Sequence, residues 1–117
     1  MSIPKYEEIM LPLLKFCKDE KEHSKQEAVL EMKKFFNVSD EEFSMLLPSG
    51  RQPIFDNRVA WAKSYMKQAG LVETTRRGYF KITQRGLDIL EKNPQKIDKD
   101  FLMQFPEFVG FVNKSKK

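Results

Sequence analysis

The spacing of apolar residues changes abruptly at Gly70, and that change leaves few folds open to this chain. Before it, Phe55, Val59, Ala62, Met66 and Ala69 recur at helical intervals and predict a helix over 55–69, with Gly70 as its stop. After it the pattern alternates. Leu71-Val72-Glu73 and Tyr79-Phe80-Lys81-Ile82 read as two short strands, with Thr74-Thr75-Arg76-Arg77-Gly78 between them. Gly78 can take the positive φ that a hairpin turn needs. A helix feeding a two-stranded hairpin with a basic tip is the layout of a winged helix, a helix-turn-helix variant.

The upstream segments complete that layout. Tyr6, Ile9, Met10, Leu13, Leu14 and Cys17 form one stripe and predict a helix over 5–18, with Pro12 inside it. Asp19–His23 is a polar connector with room for a strand of two or three residues. Ser24 and Glu27 make a capping box. The helix behind them, to about Phe36, is expected to turn Ala28, Met32 and Phe35 inward, with Val29 and Phe36 alongside. Ser39 ahead of Asp40-Glu41-Glu42 starts a short helix expected to carry Phe43, Leu46 and Leu47 and to stop at Pro48-Ser49-Gly50. Thr83 caps a helix to about Lys92, closed by Asn93-Pro94. The expected fold class is mainly α with a small β-hairpin, a winged helix over residues 1–95.

Residues 96–112 form a Phe-rich C-terminal arm in which Ile97, Phe101, Phe105, Phe108 and Val112 keep helical spacing, interrupted by Pro106. The arm either folds back onto its own domain or makes a homodimer contact through residues 97–112. Residues 113–117 are expected to be a basic disordered tail.

Charge is unevenly placed. The chain carries a net charge of +4, yet residues 51–85 hold eight Lys/Arg against two acids, while residues 1–50 are net negative. Such a segment suits a polyanion such as double-stranded DNA, because neutralised phosphates release counterions. An ordinary solvated face is the alternative. One Cys (Cys17) and one His (His23) supply neither an internal disulfide nor a Cys/His zinc set, and that usage fits a reducing, cytoplasmic setting. No apolar run approaches the ~20 residues of a membrane-spanning helix. No membrane partner and no cofactor are expected. The glycines are scattered, without a phosphate-binding loop. Asp98 and Asp100 point to different sides of a helix, and His23 and Ser24 are explained by capping. An enzyme reading has no constellation behind it.

On the 55–69 helix, 100° per residue sets Asn57, Ala60, Ser64, Lys67 and Gln68 opposite the core stripe. In a groove-bound helix Asn57 and Gln68 suit adenine, and Lys67 suits guanine or phosphate. Arg58 and Lys63 lie on the flanks, where phosphate contacts are commoner. Arg76 and Arg77, in the 74–78 wing, are placed for phosphates or a narrow minor groove. Lys81 and Arg85 extend that surface. Arg51 either reaches a phosphate or pairs with Asp56. Trp61, oblique to the stripe, either packs on the first helix or stacks on a flipped or methylated base. Each polar position also has a plain reading as solvated surface.

Several strings carry a family resemblance: Ile3-Pro4-Lys5-Tyr6 with Met10-Leu11-Pro12-Leu13-Leu14, Leu47-Pro48-Ser49-Gly50-Arg51-Gln52-Pro53 with Phe55-Asp56-Asn57-Arg58-Val59, Trp61-Ala62, Ala69-Gly70-Leu71, Arg77-Gly78 with Ile82-Thr83, Arg85-Gly86, and Phe105-Pro106-Glu107-Phe108. Together, from Ile3 to about Phe108, they resemble the N-terminal domain of Mrr-type restriction proteins. The resemblance implies a winged-helix DNA-binding domain placed ahead of a PD-(D/E)xK nuclease, in systems that cleave DNA bearing methylated bases. The one Glu-x-Lys here, Glu31-Met32-Lys33, falls mid-helix, with no strand to present it to a metal. The chain ends near where that nuclease would begin, so it is expected to be a targeting domain that does not itself cut. Two alternatives share the fold: a protein-interaction module docking through the Phe-rich arm, and a transcriptional regulator.

Overall fold

A computed structural model describes residues 3–115. The elements run in the order α1 (Tyr6–Phe16), a 3₁₀ turn at Cys17–Asp19, β1 (His23–Ser24), α2 (Lys25–Phe35), α3 (Asp40–Phe43), α4 (Ile54–Gln68), β2 (Val72–Arg76), β3 (Tyr79–Ile82), α5 (Gln84–Glu91), α6 (Lys99–Leu102) and α7 (Pro106–Ser115). The strands form one antiparallel sheet of order β1-β3-β2, with His23 opposite Phe80 and Val72 opposite Ile82. The chain is mainly helical with a small sheet, in a winged-helix-like arrangement. In it, α2 and α4 are the helix pair and β2–β3 is the hairpin.

The core is built on α1 against α4. Ile9, Met10, Leu13 and Leu14 of α1 are fully buried, as are Phe55, Val59, Ala62 and Met66 of α4 within 1%. Each such side chain contributes about 1.5–3 kcal/mol by leaving water, so the apolar stripe fixes the rotation of α4 about its axis. Ala28, Val29 and Met32 of α2 close one side, and Phe80 and Ile82 of β3 close another. The capping box at Ser24–Glu27 and the N-cap at Ser39 form as expected, and Glu42 completes a second capping box at Ser39. Among the described residues no helix is long and apolar enough to cross a membrane.

Four local expectations are corrected. Phe35 is 64% exposed: it sits in the last turn of α2, past the edge of the core, and lines a surface groove with Leu11, Pro12 and Ile97. The short third helix ends at Phe43, and Leu46 instead bridges to Pro53 in an exposed loop. There the Ser44 hydroxyl donates to the Glu41 carbonyl at 3.0 Å, offering the backbone an exit from the helix. Strand β2 continues to Arg76 through a bulge between Thr74 and Arg76, leaving only Arg77-Gly78 as the turn, with Gly78 at φ +81°. Pro106 begins α7 rather than interrupting a helix, as a proline at a first helical position does.

The arm folds back. Ile97, Leu102, Phe108 and Val112 are buried in the same core, and Tyr65 of α4 meets Phe108 and Phe111 edge-on at 5.6 and 5.9 Å. The Lys99 amide donates to Glu7 Oε2 at 2.9 Å. The stripe expected to offer a homodimer contact through 97–112 is therefore turned inward, because α1, α4 and α5 present an apolar surface that covers it. Residues 113–115 of the expected disordered tail are the end of α7; Lys116 and Lys117 lie outside the described residues.

Helix α5 approaches the hairpin closely at Gly86. A Cβ on Gly86 would collide with the Leu71 carbonyl and stand 2.6 Å from Ile82 Cγ1. Gly86→Ala should therefore destabilise the domain by about 1–3 kcal/mol, the range for overpacking a core. A lowered urea midpoint at unchanged slope is the expected readout.

Candidate nucleic-acid interface

Because its stripe of buried residues is committed to α1, helix α4 turns Asn57, Ala60, Ser64, Lys67 and Gln68 away from the core. Gln52, Asn57, Ala60, Trp61 and Ser64 line an open groove of about 260 Å³ along it. The Asn57 amide donates to Gln52 Oε1 at 3.2 Å, which fixes its orientation. Lys67 is exposed, and Ser64 and Gln68 are half-buried. Trp61 is 48% exposed and leans edge-on against Tyr65, which itself meets Tyr6 of α1 edge-on at 5.1 Å.

A second cluster joins three elements. Lys63 lies over the Phe80 ring at 5.3 Å from its centroid. Its pKa is lowered, first by burial and then by repulsion from Lys67 and Lys25. Lys25, at the start of α2, is tied to the hairpin turn by its amide, which donates to the Gly78 carbonyl at 3.3 Å. Arg77 is exposed in that turn. None of Lys25, Lys63, Lys67 and Arg77 is in an ion pair among the described residues.

The other basic candidates are held by the protein itself. Arg58 Nη1 donates to the Ile3 and Pro4 carbonyls at 2.9 and 3.2 Å, pinning the N-terminal segment to α4. Arg85 Nη1 donates to the Ala69 carbonyl at 2.8 Å, while Nη2 meets Glu107 at 3.1 Å and the guanidinium stands over Phe105. Arg85 thus clamps the end of α4 to α7, and it holds the Glu107 carboxyl below its usual range. Arg76 pairs with Glu22 at 3.1 Å and stacks on Tyr79 at 3.8 Å, so it serves the fold as well as the wing. Glu22 also accepts from Thr75 and stands near Lys81, which is exposed. Arg51 is exposed on its loop and makes no ion pair with Asp56.

Sequence reasoning missed Lys25, which sits in the acidic half of the chain. One local signal marks it. A lysine at the first position of a helix faces the positive end of the dipole, an unfavourable placement.

The hairpin is anchored to the helices through β1. His23 is 5% exposed, with Nε2 at 2.9 and 3.0 Å from the Asp19 oxygens and Nδ1 at 3.0 Å from Glu27 Oε2. Acceptors at both nitrogens match the doubly protonated ring. Burial alone lowers its pKa, but the hydrogen bonds to Asp19 and Glu27 outweigh it and hold the imidazole above its ordinary 6.5.

A small winged-helix-like domain with an unpaired basic cluster around its second helix-pair member is the class these features define. The sequence profile of the Mrr N-terminal domain matches residues 6–92, and the chain belongs to that family. It is similar to the type IV methyl-directed restriction enzyme EcoKMrr of Escherichia coli (strain K12), with 28% identity over 96 residues. The match covers 81% of this chain but 31% of that enzyme, so the chain spans about a third of its relative. No solved structure matches the chain significantly.

Since the folded pKa of His23 is raised, its contribution is complete below pH 6.5 and is lost as pH rises through the folded value. The stability gap between the native chain and His23→Gln should be widest near pH 5.5 and narrow steadily toward pH 8.5, followed by urea denaturation at each pH.

Proposed function

We propose that this chain is a DNA-binding targeting domain. In this reading α4 lies in the major groove, and Lys25, Lys63, Lys67 and Arg77 engage the flanking phosphates. The observation that carries it is the lysine cluster: like charges gathered across α2 and α4, none of them in an ion pair among the described residues, cost stability that a polyanion recovers. The Asn57–Trp61–Ser64 groove beside it supplies groups for reading base edges. Arg51, Gln68, Arg76 and Lys81 stand at the rim for further backbone contacts, whereas Arg58 and Arg85 act by positioning α4. The likeness to a methyl-directed enzyme extends the proposal to duplexes bearing methylated bases, in a bacterial restriction system within the cytoplasm. Cleavage is not assigned to this chain. Its Glu31-Met32-Lys33 triplet lies within α2, with Met32 in the core.

Fluorescence anisotropy with a short duplex at several salt concentrations tests the reading. Affinity should fall steeply with salt. Replacing Lys25, Lys67 and Arg77 together by Ala should weaken binding to all sequences and flatten the slope of log K against log salt by about 3, roughly 0.9 per lost phosphate contact. Arg76→Ala, removing a side chain already paired with Glu22, should flatten it less. Absence of binding at 50 mM salt, or a slope unmoved by the triple substitution, would overturn the interface.

A further inference from the structure

The outer face of the small sheet brings two donors and an acid together. His23 and Phe80 lie opposite one another and are buried, so alternation turns their neighbours Glu22 and Lys81 to the solvent face. Glu73 of β2 stands opposite Lys81 and shares that face. In a regular strand Thr75 and Arg76 would point to opposite faces. The bulge between Thr74 and Arg76 makes Thr75 an extra residue, and a bulge re-aims side chains. Both then reach one carboxylate: Thr75 Oγ1 donates to Glu22 Oε1, and Arg76 Nε donates to Glu22 Oε2 at 3.1 Å. The Arg76 guanidinium lies 3.8 Å from the centre of the Tyr79 ring, which steadies it. The Thr75 hydrogen bond first, then the charge of Arg76, hold the Glu22 carboxyl below its usual range.

Two donors aimed at the two oxygens of one anion also fit a phosphodiester, which presents a single negative charge and two unesterified oxygens on one atom. Glu22, Thr75 and Arg76 are all exposed, so a duplex backbone can reach them. An exposed ion pair contributes little to stability, which makes this one a weak strut and an easily exchanged contact. We propose that Thr75 and Arg76 form a phosphate subsite on the wing, and that Glu22 occupies it in the free protein and gives way to a backbone phosphate of the duplex. Exchanging one anion for another gains less than engaging Arg77, which starts without an ion pair among the described residues. Glu22 thereby lowers the affinity of the wing for every duplex alike, because phosphate contacts carry no sequence information, and leaves discrimination to α4. This inference rests on the reading of the chain as a duplex binder, and it names how the wing of that interface is held back.

The test uses the whole chain and a short unmodified duplex at one salt concentration, read by anisotropy. Glu22→Gln keeps the shape and removes the charge, and it should tighten binding by about two- to fivefold, the scale of one exposed ion pair. Glu73→Gln removes a charge from the same face, opposite Lys81, and should gain clearly less. In an Arg76→Ala background the gain from Glu22→Gln should fall to about one. A strut would give the opposite sign, so unchanged or weakened binding by Glu22→Gln overturns the exchange. So does a gain that Glu73→Gln matches or that survives Arg76→Ala, since either is the effect of net charge alone. Each of these outcomes leaves duplex binding itself intact. If no duplex is bound at all, titration with inorganic phosphate decides. Saturable shifts of the Arg76 Nε–H and Thr75 amide resonances, stronger in Glu22→Gln than in the native chain, uphold the subsite, and their absence in both overturns it.

Discussion

The face that α4 offers to solvent is decided by what it buries. Phe55, Val59, Ala62 and Met66 are shut against Ile9, Met10, Leu13 and Leu14 of α1, and rotating α4 by one residue would expose several of them at about 1.5–3 kcal/mol each. With that rotation fixed, Asn57, Ser64 and Lys67 have no choice of direction. Arg58 and Arg85 fix the two ends of the same helix, one to the Ile3 and Pro4 carbonyls and the other to Ala69 and α7. The proposed role of α4 as a reading helix would need this rigidity, because a contact misplaced by an ångström is lost.

The hairpin depends on a smaller anchor. Strand β1 has only two residues, yet it adds the third strand and carries His23 between Asp19 and Glu27. The backbone bond from Lys25 to Gly78 continues the link, so the hairpin turn and the start of α2 move together. Lys25 and Arg77 become one surface through this covalent and hydrogen-bonded path, although fifty residues separate them in the chain.

Periodicity made the helices and strands legible, because burial enforces spacing wherever an element is fully packed. The stripe of α4 and the Ser24–Glu27 capping box follow from local pattern, while the short strand falls at His23–Ser24, at the end of the connector expected to hold it. Phe35 and Leu46 did not, since both continue a helical pattern where the packing surface has run out or the backbone has left the helix. The site was less legible for a related reason. A count of basic residues does not say which are free, and three of the eight in the 51–85 segment turned out to hold carbonyls or acids of the protein itself.

Those three are all arginines, and the chemistry accounts for the division. A guanidinium offers several donors in a rigid fork and stacks on rings, so it can satisfy two carbonyls, or a carbonyl and a carboxylate, at once. An ammonium group has no such geometry and is more strongly hydrated, so its charge stays in water when no acid is supplied. Among the described residues Lys25 and Lys67 have no acid partner, and Lys63, also without one, is half-buried over Phe80 with its pKa lowered by that burial. Asp56 is the inverse case on the same flank of α4: an acid about two and three helical turns from Lys63 and Lys67, paired with neither. Their separation leaves the lysine charge on the surface unneutralised, the feature on which the proposed phosphate contacts rest.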